Sequence, residues 1–192
     1  MSLKLITPPA AEPVTLAEAK LHCRVDIGDD DALINALITA ARQKCEHETG
    51  RALMSQTWEK TLDAFPDAIE LPNPPVSSIV SVNYMDVHGV EQTLASASCT
   101  LDNASDNSLH YLVPAYGHAW PDTLPDINVV KVRYAAGYAD ASHVPATLKA
   151  WMLMAIGTLY RQREVIITGG IVAEVPRDFF SGLLDPYRIW RV

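Results

Sequence analysis

The sequence is short of paired cysteines, of basic charge and of long apolar runs, and each shortage removes a class of protein. Its three cysteines, Cys23, Cys45 and Cys99, are an odd number without C-x-x-C spacing. That argues against a disulfide framework and a zinc site, and fits a reducing compartment. Only 15 Lys and Arg stand against 23 Asp and Glu, a net charge of -8, whereas a protein that wraps nucleic acid by neutralising phosphates needs basic clusters. The opening Met1-Ser2-Leu3-Lys4-Leu5-Ile6 is too short for a signal peptide and is broken by Pro8, Pro9 and Pro13. No window reaches the roughly 20 apolar residues of a membrane span. The expectation is a soluble protein, intracellular when made, with no membrane or nucleic-acid partner.

Catalytic motifs are missing too. There is no G-x-S-x-G elbow, no H-E-x-x-H pair and no phosphate-cradling G-x-x-x-x-G-K-[ST] loop. His22, His47, His88, His110, His118 and His143 are scattered along the chain, so a metal or catalytic pair has to be assembled entirely by tertiary structure. Glu46-His47-Glu48 does not form a site on a helix, where neighbours point about 100° apart. The reading is no enzyme, no catalytic or metal-binding residues and no cofactor.

What is present is enough apolar material, 48% of 192 residues, to build a core. Thr15-Leu16-Ala17-Glu18 predicts a capping box opening a short helix to about Cys23. Asp29, Asp30 and Asp31 predict capping of a second helix, with Leu33, Ile34, Leu37, Ile38, Ala41 and Cys45 as its apolar stripe and Gly50 as its stop. On its other face Arg42, Lys44, Glu46 and Glu48 read as solvated or as facing a neighbouring subunit. From Gln56 the pattern turns to strands: 56–62, 76–84 before the turn Asp86-Val87-His88-Gly89, and 129–134, with weaker candidates at 99–101 and 109–112. Helical spacing returns after Pro145 with Leu148, Trp151, Met152, Ala155, Ile156, Leu159 and Tyr160, and a last short helix is expected from Pro176 through Leu184.

These elements predict an α+β fold: a bundle of N-terminal (1–55) and C-terminal (145–192) helices around a small β-subdomain inserted at 56–144. Charge follows the division, since residues 56–144 hold 11 acidic and only 3 basic groups. The chain then ends in Leu183-Leu184-Asp185-Pro186-Tyr187-Arg188-Ile189-Trp190-Arg191-Val192. Tyr, Trp and Arg are typical anchors of interfaces, so this tail reads as an arm seeking a partner surface, against the alternative of a last element packed on the chain's own core.

In order, Pro13-Val14-Thr15-Leu16-Ala17-Glu18-Ala19-Lys20, Asp30-Asp31-Ala32-Leu33-Ile34, Ala40-Ala41-Arg42, Glu48-Thr49-Gly50-Arg51-Ala52-Leu53 and Gln56-Thr57-Trp58 resemble the phage gp6-like head-tail connector, or adaptor, family. Further along, Leu71-Pro72-Asn73-Pro74-Pro75-Val76, Tyr134-Ala135-Ala136-Gly137-Tyr138, Val144-Pro145, Tyr160-Arg161-Gln162-Arg163-Glu164 and Leu183-Leu184-Asp185-Pro186-Tyr187-Arg188 continue the resemblance, in a longer form with a β-rich insertion. It implies a structural role without catalysis, as a ring that joins the portal of a tailed phage or prophage to the tail completion, or stopper, proteins. The implied partners are the portal, neighbouring copies and the stopper, and the implied locations are the host cytoplasm during assembly and then the virion. Leu183, Leu184, Tyr187, Arg188, Ile189, Trp190 and Arg191 carry over as the portal-binding arm. The rival reading is a phage-encoded binding module for a single cellular partner.

Overall fold

The computed structural model describes residues 2–105, 108–162 and 177–189, with the backbone alone for 177–179. The elements are β1 (Ser2–Thr7), α1 (Leu16–Cys23), α2 (Asp31–Thr49), β2 (Gln56–Leu62), β3 (Ile69–Leu71), β4 (Val76–Met85), β5 (Glu91–Thr93), β6 (Cys99–Asp102), β7 (His110–Pro114), β8 (Val130–Ala136), α3 (Ala146–Arg161) and α4 (Arg177–Gly182). The fold is mixed α+β.

Three helices pack around one apolar cluster. The capping box of α1 is complete: Thr15 Oγ1 accepts from the Glu18 N–H at 3.2 Å, and Glu18 accepts from the Thr15 N–H at 2.7 Å. Because α2 rises 3.6 residues per turn, Ile34, Ile38, Ala41 and Cys45 share one buried face, and Leu148, Trp151, Met152 and Ile156 of α3 meet them. Leu33 and Leu159, expected in these stripes, lie at their outer margins and are exposed. Gly50 stops α2 at φ +69°, its N–H returning to the Glu46 carbonyl. Pro145 stands one position before α3 rather than in its first turn.

Of the acidic run, Asp31 brings negative charge to the first turn of α2 as expected, while the N-cap position differs. Asp30 precedes α2 without a side-chain cap bond; its carboxylate accepts from the Tyr160 hydroxyl at 2.5 Å, while Asp31 pairs with Lys20 at 2.6 Å. Tertiary partners take the carboxylates, and the start of α2 is tied to α1 and α3.

The second cluster lies under two antiparallel sheets, one ordered β1-β2-β8-β4-β5 and the other β3-β7-β6. Strand β8 is central and alternates as its pleat requires, with Val130, Val132, Tyr134 and Ala136 buried and Lys131 and Arg133 outward. The buried Tyr134 hydroxyl donates to the Pro72 carbonyl at 2.9 Å. His110 joins the sheets: Nδ1 accepts from the Val76 N–H at 3.0 Å and Nε2 lies 3.0 Å from the Ser105 carbonyl, so the Nε2-protonated tautomer satisfies both contacts. Three strands were not expected from the sequence: β1, β3 and β5. Strand β1 pairs antiparallel with β2, Lys4 opposite Glu59 and Leu5 opposite Trp58, so residues 2–7 join the sheet rather than the helices.

Candidate functional site

The C-terminal segment is the first place to look, and it is seated on the chain itself as far as Ile189. Leu184 is 1% exposed within the helical core, with Leu183 and Tyr187 packed against that core. Phe180 stacks on Trp151 with ring centroids 5.0 Å apart. The Tyr187 carbonyl accepts from Arg51 Nε at 2.5 Å, and the Ile189 N–H donates to the Thr49 carbonyl at 2.8 Å. Arg188 lies 3.2 Å from Asp185 and 3.8 Å from Glu48. Apolar side chains that small loops cannot bury locally reach the nearest large core, here the α2–α3 interface. Five of the seven residues expected to form an arm are thus brought together on the helical core; Trp190 and Arg191 lie outside the described residues.

Beside this segment, between β1 and α2, runs a groove of about 330 Å³. Leu5, Pro8, Pro9 and Trp58 give it an apolar wall, and Arg42, Gln43, Glu46, His47, Arg51, Gln56 and Asn73 a polar one. Its floor is an ionic network whose Arg42 and Glu46 the sequence left as either solvated or facing a neighbouring subunit. Arg42 is 6% exposed; its Nε donates to Glu12 and its Nη1 to Glu46, both at 2.7 Å. Glu46 also accepts from the Leu53 N–H and from Gln56 Nε2, each at 2.9 Å. Burial pushes the Glu46 carboxyl above the ordinary carboxylate value, while the Leu53 N–H, Arg42 and Gln56 pull it down. A buried charge needs this many partners to persist. One signal was legible: Arg42 and Glu46 stand at i, i+4, the spacing of facing helical neighbours.

One set of residues superficially resembles a hydrolytic triad. Asp140 Oδ1 lies 2.5 Å from Ser142 Oγ and 3.0 Å from His143 Nδ1, and Ser142 Oγ is 3.4 Å from the same Nδ1. In a working triad the base stands between nucleophile and carboxylate, one ring nitrogen facing each. Here the serine donates to the aspartate and a single ring nitrogen faces both partners. Hydrogen bonds from Ser142, then His143, lower the Asp140 carboxyl to about 2. The cluster is an exposed turn before α3, and its chemistry is that of a turn. Among the described residues no group of three or more His, Cys, Asp or Glu is placed to hold a metal, and no helix is long and apolar enough to cross a membrane.

The family model for the phage gp6-like head-tail connector protein matches residues 13–111. Solved structures share the fold over the full chain. One, titled as the neck of an empty gene transfer agent (GTA) particle with C6 symmetry, superposes with a TM-score of 0.81 at 23% identity. Another, from the virion of a native GTA particle, gives 0.79 at 24%, and a third, from the neck of the native particle with C12 symmetry, gives 0.76 at 23%. Each alignment covers 100% of this chain and 97% of the other. No curated protein matches the chain.

Proposed function

The chain belongs to the phage gp6-like head-tail connector family, and from that premise we propose that it is a structural virion protein, one copy of a ring that joins the portal of a tailed phage or prophage to the tail completion protein. The observation that carries this reading is the family match together with a fold shared, end to end, with proteins of assembled particle necks. In this reading helices α1, α2 and α3 with the C-terminal segment form one bundle, residues 56–144 are its inserted β-subdomain, and the work is done by surfaces rather than by a reacting centre, with no cofactor. Closed rings use heterologous contacts, in which two different patches of the same chain meet.

Partner binding is assigned to the C-terminal segment in a divided form. Leu183, Leu184 and Tyr187 anchor it to the helical core; Arg188 and Ile189 are tied back to Glu48 and Thr49 but keep part of their surface exposed, and that surface, with Trp190 and Arg191, is assigned to the portal. The acidic balance suits a channel lining that repels passing DNA, because like charge raises the cost of phosphate contact. The protein is made in the host cytoplasm and ends in the virion. The test is removal of the gene from a productive phage or prophage. Electron microscopy is expected to show DNA-filled or emptied heads and separate tails in place of joined particles. Normal joined particles would overturn the reading, and recovery of a one-to-one complex with a host protein would favour the binding-module alternative.

A further inference from the structure

The five-stranded sheet has one end at the seam with the helices and one end far from it. Gln56, Val76 and Ala136 share register at the seam, where Gly137 abuts the Met54 carbonyl, whereas Leu62, Tyr84 and Val130 share register at the other end. The 7 residues of β8, at about 3.3 Å each, set the two ends roughly 20 Å apart.

The far end holds large apolar side chains in the open. Val87 is 51% exposed and Val90 53% on the turn between β4 and β5, and Ile127 is 71% exposed on the adjoining stretch 124–129. The two stretches are tied together: the Met85 N–H donates to the Val129 carbonyl at 2.9 Å, and the Leu124 N–H to the Met85 carbonyl at 3.1 Å. The turn is braced as well, since Asp86 Oδ1 accepts from the His88 N–H at 2.9 Å and the Val90 N–H at 3.0 Å, and Oδ2 from Gln92 Nε2 at 2.9 Å. Apolar side chains presented on a turn already held in place lose little freedom on docking, which lowers the entropic cost of binding.

The rim is acidic. Asp63, Asp86, Glu91 and Asp126 flank these side chains, with Lys131 nearby. The donors on the three aspartates are neutral N–H and amide groups, which leave the negative charge in place. A second copy is a poor match. Its Lys20, Arg42, Lys44, Arg133 and Arg188 are already paired with carboxylates of their own chain, and the whole chain carries a net charge of -8. The complement is a different protein, apolar at the centre of its contact and rich in Lys or Arg around it.

We propose that the sheet end formed by residues 85–91 and 124–129 binds the next protein on the tail side, through an apolar patch of that partner rimmed by basic residues. The inference rests on the ring assigned under the proposed function. There the C-terminal segment meets the portal, and it lies on the helical side of the seam, where the Ile189 N–H reaches the Thr49 carbonyl. Two surfaces on separate parts let one copy bridge two different proteins.

The test is photo-crosslinking in purified joined particles, with benzoylphenylalanine at position 87. The expected product joins this chain to the tail completion protein, at a peptide containing Lys or Arg. A crosslink to a second copy or to the portal, or none while the protein is present, would overturn the assignment of this end alone; absence of the protein from joined particles would overturn the ring as well. The triple change Val87→Ser, Val90→Ser and Ile127→Ser alters exposed side chains and is expected to leave the melting temperature and incorporation into heads unchanged while lowering the joined fraction at least ten-fold. Glu91→Lys reads the charge and is expected to lower that fraction at least three-fold. Tails joined at the unaltered level, or loss of the triple variant from heads, would contradict the proposal.

Discussion

The helical part and the sheet part solve the same packing problem in opposite ways. The helical core is closed by segments far apart in sequence, from Val14 to Met54 and from Val144 to Leu184. The sheet core comes almost entirely from one continuous stretch, Ala52 to Ala136. Their polar surfaces differ as well. Helical charges find partners across elements, as in Glu12–Arg42–Glu46 and Lys20–Asp31, while the sheet region carries far more acid than base. A part whose ends are held by distant chain is suited to stay rigid, and a locally closed part with an acidic surface is suited to present loops and edges. In the proposed ring the helical part anchors, and the sheet part faces neighbouring copies and the channel.

The largest expected effect comes from the seam. Gly137 has φ +107°, and an added Cβ would lie 2.0 Å from the Met54 carbonyl oxygen, which belongs to the helical core. Neither backbone can yield there, so Gly137→Ala is expected to cost more than about 4 kcal/mol and to abolish soluble yield. Recovery of a normal melting temperature would show that the two parts are less closely joined than described.

Next come two core truncations that ask whether the regions unfold together. Leu184→Ala in the helical core and Leu112→Ala in the sheet core each remove a fully buried side chain and should cost roughly 2–5 kcal/mol. If the parts form one cooperative unit, both variants move a single transition in urea; two separated transitions would sharpen the comparison into independent folding. Removing residues 186–192 is expected to lower the melting temperature too, because the Tyr187 and Ile189 contacts with Arg51 and Thr49 go with it. An unchanged melting temperature would restore a free arm.

A smaller loss, about 1 kcal/mol, is expected for Thr15→Ala, which removes the cap of α1. The smallest is a slope. Burial raises the Glu46 carboxyl, so between its ordinary value near 4.5 and the raised one the folded state holds a proton that the unfolded state has released. This group's contribution is present at low pH and is lost as pH rises through that window. Glu18 works in the other direction: bonds from Thr15 lower its carboxyl, and its contribution disappears as pH falls. Glu46→Gln should therefore make stability rise more steeply with pH than in the unaltered protein, as followed by denaturant titration from pH 4 to 7.

Much of the fold was legible because its signals are local. The Thr15–Glu18 box, the Gly50 stop, the alternation of β8 and the Asp86–Gly89 turn each depend on residues within a few positions of one another. Strands β3 and β5 escaped because three residues carry too little pattern, and β1 because its apolar residues remain exposed on an outer strand. The aspartates before α2 illustrate the other limit. Composition said cap, but Tyr160 and Lys20, distant in sequence, took the carboxylates. The groove was invisible for the same reason, since β1 and α2 meet only through tertiary structure, although the i, i+4 spacing of Arg42 and Glu46 hinted at their pairing. The Tyr, Trp and Arg content of the tail, and then the family resemblance, pointed to a partner arm, with packing on the chain's own core as the alternative; local pattern could not choose because the core that receives Leu184 is built by distant residues.

The most direct test of the central claim is electron microscopy of the purified protein mixed with the portal encoded beside it. The account predicts a ring of this chain seated on the portal, with adjacent copies related by rotation about the channel axis and the C-terminal segment toward the portal. A portal left bare at micromolar concentrations of both proteins, or a single copy bound without its neighbours, would contradict it.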